Sequence, residues 1–218
     1  MKLEGSSATL PDWLKPVEKL AASVEAEQLA PRFPHPPSNA RPAAVLICFA
    51  DGENGPELLL TERATTLRNH AGQISFPGGA ADADDEDAVT TALREAEEEV
   101  GLEPSDVLVF GILPTLWLPP SNFAVTSVLG YWSSPRTLEP VDVTEVGGIL
   151  HHPIHLLIDP ANRFSVEHPT GWRGPAFEVG SDVPLWGFTA GVISRLFEAL
   201  GWEKPWDDSV TRPLPELL

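Results

Sequence analysis

The order of elements predicted along this chain points to an α/β or α+β sandwich, with short strands and a few helices around one core. Three observations carry that expectation. "AAVLICFA" (43–50) is an unbroken apolar run of strand length. "DGENG" (51–55) is turn chemistry, and it joins that run to a second one, "ELLLTER" (57–63), as a hairpin. Val89, Ala92, Leu93, Ala96 and Val100 fall at i, i+3, i+4, i+7 and i+11, the apolar stripe of a helix running from about Asp87 to Val100.

The other elements come in order along the chain. Residues 12–30 carry helical spacing after Pro16, and "PRFPHPPSNARP" (31–42) reads as an extended proline-rich arm. Residues 1–42 are therefore set apart as a helix and arm, residues 43–205 as the compact domain, and residues 206–218 as a tail. "GQISFPGG" (72–79) is a short strand ending in a glycine pair. "VLVFGILPTLWL" and "FAVTSVLGYW" supply more strands. "DPANRF" (159–164) is a turn, and "LWGFTAGVISRLFEALG" (185–201) is an amphipathic helix closed by Gly201.

The 218 residues include 32 acidic and 14 basic ones, a formal charge of −18. Such a surface argues against non-specific nucleic-acid binding and against anionic membranes. An anionic ligand would need local cations, either arginines or metal ions. Cys48 is the only cysteine, so no internal disulfide can form, which suits a reducing compartment. It lies within an apolar strand and is expected to be buried. The first residues lack the apolar core of a signal peptide, and no apolar run approaches membrane-spanning length. A cytoplasmic setting is the expectation.

The predicted helix has two acidic clusters. Asp84, Asp85, Glu86 and Asp87 stand at or before its start, where carboxylates cap free amides and suit the positive end of the dipole. The second cluster has no such account. Glu95, Glu98 and Glu99 occupy i, i+3 and i+4 in the last turns, where the dipole disfavours anions. Like charges at i, i+4 cost roughly 0.2–0.5 kcal/mol per pair. Either they form a solvated face, or a hard cation such as magnesium converts the repulsion into affinity. Arg63, Arg68 and His70 gather just before this helix. Arginine forks suit phosphate oxygens, and they equally suit pairing with surface carboxylates.

"REAEEEVGL" (94–102), coming after a glycine pair and a short strand, resembles the signature of the Nudix hydrolases, G-x5-E-x7-R-E-U-x-E-E-x-G-U, where U is a bulky apolar residue. Arg94, Glu95, Glu98, Glu99, Gly101 and Leu102 match, and Glu86 stands at the early glutamate's place. Ala96 is small for its position, and Gly79 falls one residue before the expected glycine, where Ala80 stands. "LLLTERATTLRNHAGQISFPGGAAD" (58–82) is similar to the segment that marks the coenzyme A pyrophosphatase branch, through Thr61, Arg63, Leu67, Arg68, His70, Gly72, Gln73, Phe76, Pro77, Gly78 and Gly79. The resemblance covers about residues 43–200.

It implies a Nudix fold, a mixed β-sheet between helices, with the site on the loop–helix–loop of residues 78–102. It implies one to three Mg²⁺ or Mn²⁺ ions held by Glu95, Glu98 and Glu99 with the loop backbone at Gly79. Arg94 anchors the helix or loop and is counted with the catalytic residues, and Glu97 is solvated. Glu145 is the candidate for a further ligand or general base, and Glu98 is a candidate catalytic group with it. The branch often has a second acid three positions after Glu145, where this chain has Gly148. Arg63, Arg68, His70, Gln73 and Gly78 are the implied substrate contacts. The implied reaction is hydrolysis of the diphosphate of coenzyme A or its thioesters, giving 3′,5′-ADP and 4′-phosphopantetheine. A Nudix enzyme for ADP-ribose or a nucleotide sugar, and a non-catalytic nucleotide-binding module, are the alternatives. The 12–30 helix and the arm are candidates for a homodimer contact.

Other motifs carry less. "HHPIH" (151–155) has Pro153 within it and no adjacent cysteine or carboxylate, so a surface loop or helix start is expected rather than zinc. Ser121 lacks the G-x-S-x-G elbow of a serine hydrolase. The tryptophans are expected in the core.

Overall fold

The structure is a computed structural model and describes residues 9–30, 35–67, 70–167 and 171–214. A 3-10 turn, Asp12–Leu14, leads into helix α1 (Lys15–Ala21) and then α2 (Ala26–Leu29). The single helix expected over 12–30 is thus two. A new cap divides them: the Glu25 side chain accepts from the Gln28 amide, and the Gln28 side chain accepts from the Glu25 N–H at 2.9 Å. Leu14, Val17, Val24 and Leu29 of this segment are buried in the main core.

Strands β1 (Arg41–Gly52) and β2 (Gly55–Arg63) form the expected hairpin, turning through Glu53 and Asn54 with Gly55 at φ +100°. The expected strand at 72–79 is two short ones. β3 (Ile74–Ser75) pairs with β2, and β4 (Gly78–Ala80) pairs with the start of β1. Pro77 lies between them. It has no N–H for a ladder, and its carbonyl accepts from the Leu46 N–H at 2.8 Å. Helix α3 (Ala88–Val100) comes next, then β5 (Val107–Ile112), β6 (Leu116–Leu118) and β7 (Phe123–Trp132). β7 runs parallel to β1 over ten residues, and β5 pairs antiparallel with β7.

β8 (Val146–Pro153) lies antiparallel on the other edge of β2. It contains His151 and His152, so only the third histidine of the "HHPIH" motif, His155, lies in a helix, α4 (Ile154–Leu157). His151 faces Glu57, Nδ1 to Oε1 at 2.7 Å, which explains its inward position. A second small sheet joins β9 (Arg163–Glu167) to β10 (Arg173–Phe177) and, in parallel, β11 (Thr211–Pro213). Helix α5 (Gly187–Ala199) matches its expected span.

β1 alternates between two cores. Ala44, Leu46, Cys48 and Ala50 pack with Val89, Ala92, Leu93, Ala96 and Val100 of α3. Ile47 and Phe49 pack on the opposite face with Leu14, Val17, Ile193, Leu196 and Phe197. Both faces of the strand are covered, which is why its sequence is apolar without alternation. The Cys48 thiol is fully buried, and burial pushes it up to about 12. The result is the mixed sheet between helices expected from sequence. Among the described residues no helix is long and apolar enough to cross a membrane.

Candidate active site

Helix α3 carries the candidate residues Arg94, Glu95, Glu98 and Glu99. Asp87 caps its start by accepting from the Thr90 N–H at 2.9 Å, so this part of the first acidic cluster is structural. Gly101 closes the helix at φ +68°, a left-handed conformation that suits glycine. The apolar stripe faces β1, and the helix rotation sets Glu95 and Glu99 against β4. The Gly78 N–H donates to Glu99 Oε2 at 3.1 Å. A Cβ on Gly79 would lie 2.5 Å from a Glu95 carboxylate oxygen. The glycine pair therefore forms a wall against which both carboxylates rest.

Glu99 is only 6 % exposed. Burial pushes its carboxyl up to about 7, and the charges of Glu95 and Glu145 push the same way. The Gly78 N–H and Arg63 oppose the shift. Glu95 is also raised, first by burial, with Glu98 and Glu145 adding to it and Arg94 opposing. Glu145 is itself exposed. Its carbonyl accepts from the Ala64 N–H at 2.8 Å, and its charge reaches both the half-buried Glu95 and the buried Glu99.

Arg94 is the hub behind them. Nε and Nη2 grip Asp85 at 3.1 and 2.9 Å, Nη2 also donates to Glu95 at 3.0 Å and to the Ala80 carbonyl at 3.1 Å, and Nη1 donates to Glu98 at 2.8 Å. The Arg94 guanidinium holds the Asp85 carboxyl far below the usual carboxylate range. Arg94 thus anchors loop to helix, as expected.

Arg63 ends β2. Its backbone N–H donates to the Gln73 carbonyl at 3.0 Å and its carbonyl accepts from Gly72 at 3.1 Å, which closes the intervening loop. Its Nε is buried and has no hydrogen-bond partner. His70 and Gln73 bond to each other, Nδ1 to Oε1 at 2.8 Å, in an exposed turn with His70 at φ +61°. Arg68 lies outside the described residues.

The donor set fits a hard divalent cation. Two sequestered carboxylates repel each other beside a loop backbone, and Arg63 is the first cation to oppose the charge of Glu99. The three-glutamate group expected from spacing is nevertheless not preassembled. Among the described residues no three histidine, cysteine, aspartate or glutamate side chains converge as a metal site. Glu98 instead pairs with Arg94 Nη1 at 2.8 Å, and its side chain is 59 % exposed.

Comparison with known proteins fits this arrangement. A model of the NUDIX domain matches residues 40–147. NudL of Citrobacter koseri, described as an uncharacterized Nudix hydrolase, is 37 % identical over 205 residues, 91 % of this chain and 98 % of that protein. The chain belongs to the Nudix hydrolase family. "Nudix hydrolase 15, mitochondrial" of Arabidopsis thaliana is 35 % identical over 173 residues, 75 % of this chain, which spans 59 % of the plant protein's length. The crystal structure of RenU, a Nudix hydrolase from M. smegmatis, superposes with a TM-score of 0.54 over 77 % of this chain and 90 % of that one, at 19 % identity, a likeness in fold.

The geometry also corrects how the Nudix box lies on this chain. Glu86, placed by spacing as the early glutamate, is exposed and does not meet Arg94; Asp85 does. Gly79 to Asp85 keeps the G-x5-acid spacing, so the chain carries one added residue between that acid and Arg94. The offset glycine and the shifted acid are one event. In the sequence only the glycine is out of place by one residue; Glu86 keeps the expected spacing, so the shift of the acid is seen only in the contacts of Asp85.

Gly79→Ala is expected to leave the fold intact, because the atoms it meets end a flexible side chain. It should displace Glu95 and weaken Mn²⁺ binding about tenfold or more, measured by titration of Mn²⁺ alone beside a thermal melt.

Proposed function

We propose that this Nudix hydrolase cleaves the diphosphate of a nucleoside diphosphate derivative, and that coenzyme A or an acyl-CoA is the substrate. The observation that supports hydrolysis most strongly is the pair Glu95 and Glu99, the first half-buried and the second buried, set against Gly78 and Gly79 with the charge of Arg63 acting on Glu99. Burying Glu99 beside the half-buried Glu95 costs this helix free energy that its own packing does not require. Mg²⁺ or Mn²⁺, held by Glu95 and Glu99 and joined by Glu98 on leaving Arg94, would supply phosphate charge neutralisation and an acidified water.

The chain's own groups do the remainder. Arg63 offers its free N–H to a phosphate oxygen. Arg94 keeps Glu95 facing the glycine loop while Asp85 holds Arg94 in place. Glu145, exposed at the edge of the cluster, is the group proposed to take the proton from the attacking water. The coenzyme A reading rests on residues 58–79 and their likeness to that branch. His70 and Gln73, paired in an exposed turn, are proposed to contact the substrate along with Arg68 and Gly78.

The test is turnover of coenzyme A against ADP-ribose, with Mg²⁺ or Mn²⁺ and with EDTA, the products read by mass. Metal-dependent release of 4′-phosphopantetheine is the expected result. Cleavage of ADP-ribose alone would retain the hydrolase and overturn the substrate. Binding without turnover of either would favour a nucleotide-binding module.

A further inference from the structure

We propose that Gly147 is a positioning residue: the bulge it makes between β2 and β8 sets Arg63 and the Glu145 loop together against Glu99. The ladder runs Leu60 to Leu150, Thr61 to Ile149 and Glu62 to Gly148, then jumps to Arg63 opposite Val146. Gly147 is the residue left over. Side chains alternate along a strand, so a slip of one residue exchanges the two faces. A bulge introduces that slip at a chosen point and re-aims the residues beyond it.

The consequences are visible on both sides of Gly147. Leu59 and Ile149 pack on the α3 side of the sheet, and alternation along β2 places Thr61 and Arg63 on that side too. With an unbroken ladder, Gly147 would stand opposite Arg63, and Val146 and Glu145 would each be displaced by one position. Instead Val146 is buried beside Arg63, and the Glu145 carbonyl extends the ladder by accepting from the Ala64 N–H at 2.8 Å. The loop before it is pinned at its other end, where the Val141 N–H donates to the Glu99 carbonyl at 3.0 Å. Between these pins the Asp142 carbonyl accepts from the N–H groups of Glu145 and Val146 at 3.1 and 2.8 Å. The loop therefore links the backbone of Glu99 to the strand end that carries Arg63, and Gly147 sets the register of that link.

Contact rather than dihedral angle disfavours a side chain here, because backbone would have to give by a few tenths of an ångström for a Cβ and by more for a branched side chain. A Cβ at 147 would meet the Ala64 Cα at 3.3 Å and the Arg63 carbonyl oxygen at 3.5 Å, both backbone atoms. A Cβ at Gly148 would meet only the Glu62 side chain, at 3.7 Å, an ordinary contact. Gly148 pairs with Glu62 and so shares its face, opposite to that of Arg63. An acid at 148 would point away from the glutamate pair. The absence of the branch's second acid therefore leaves this site's charge unchanged, and the neighbouring glycine is the one the geometry uses.

The inference rests on the hydrolase reading only for its activity measurement. The experiment compares Gly147→Val with Gly148→Ala in the full chain. It reads hydrogen exchange of the Ala64 amide, affinity for Mn²⁺ alone, and coenzyme A turnover. Gly147→Val should expose the Ala64 amide to exchange, weaken Mn²⁺ about tenfold, and lower kcat about a hundredfold with a smaller change in KM. Gly148→Ala should match the wild type in all three. A folded Gly147→Val protein with wild-type Mn²⁺ affinity overturns the proposal, as does a Gly148→Ala protein equally impaired. If the valine variant does not fold, Gly147→Ala replaces it under the same criteria. If the wild type turns over no diphosphate, the proposed function falls, while exchange and Mn²⁺ affinity still decide on Gly147.

Discussion

Glu99→Gln is expected to lose about a thousandfold in turnover while becoming more stable in the absence of metal. On the proposed metal site the loss comes from removing one anionic ligand: several kcal/mol of charge stabilisation are at stake, and each ~1.4 kcal/mol is a decade in rate. The gain comes from linkage. Burial lifts the folded carboxyl to about 7 from its usual 4.5, so between those values the folded chain binds more protons than the unfolded one. The Glu99 contribution to metal-free stability should then fall as pH rises through that window, by roughly 3 kcal/mol when complete. Gln cannot ionise, yet its carbonyl still accepts the Gly78 N–H that Glu99 accepts at 3.1 Å. Above pH 7 the variant should melt higher than the wild type in EDTA, and the gap should close toward pH 4.5. Mn²⁺ should reverse the order by binding the wild type more tightly, with its affinity falling as pH drops through 7. A variant that melts lower than the wild type in EDTA at pH 8 would show that Glu99 is stabilising as an anion. The burial argument for a metal ligand would then fail.

What could be read from sequence, and what could not, divides by the range of the interaction. The stripe from Val89 to Val100 and the cap at Asp87 are local, and α3 lies where periodicity puts it. The placement of Glu95 and Glu99 comes from the same helix geometry. β8 is different. "VGGILHHP" mixes two glycines, two histidines and a proline, and its strand character comes from pairing with β2 rather than from alternation. The bulge at Gly147 is a property of two strands together and has no single-strand signal. The break between α1 and α2 turns on a side-chain exchange between Glu25 and Gln28, a capping pattern that the helical spacing of 12–30 masked. His70 and Gln73 bond to each other across an exposed turn, a pairing that strand and helix periodicity do not announce.

Asp85 is the residue that spacing missed and contacts identify, and it leads to the second large effect. Arg94→Lys should lower kcat about a hundredfold with the fold retained, a loss typical of mispositioned ligands. The arginine uses all three nitrogens at once: Nε and Nη2 on Asp85, Nη2 on Glu95 and the Ala80 carbonyl, Nη1 on Glu98. A lysine places its donors on one atom and cannot grip a carboxylate with two nitrogens while reaching a second glutamate. Glu95 would lose its tie to the loop, and Glu98 would lose the partner that holds it. Asp85→Asn should be impaired to a similar degree, because Arg94 would then lack the anion that fixes its plane. Combining the two should add little, since both break the same link. Glu86→Gln serves as the control. It occupies the place the family pattern gives the early acid, but it is exposed and apart from Arg94, so kcat should stay at the wild-type value. Steady-state kinetics of these four proteins beside thermal melts decide the matter. Loss of activity in Glu86→Gln with a normal Asp85→Asn would return the box to its unshifted alignment and remove Asp85 from the site.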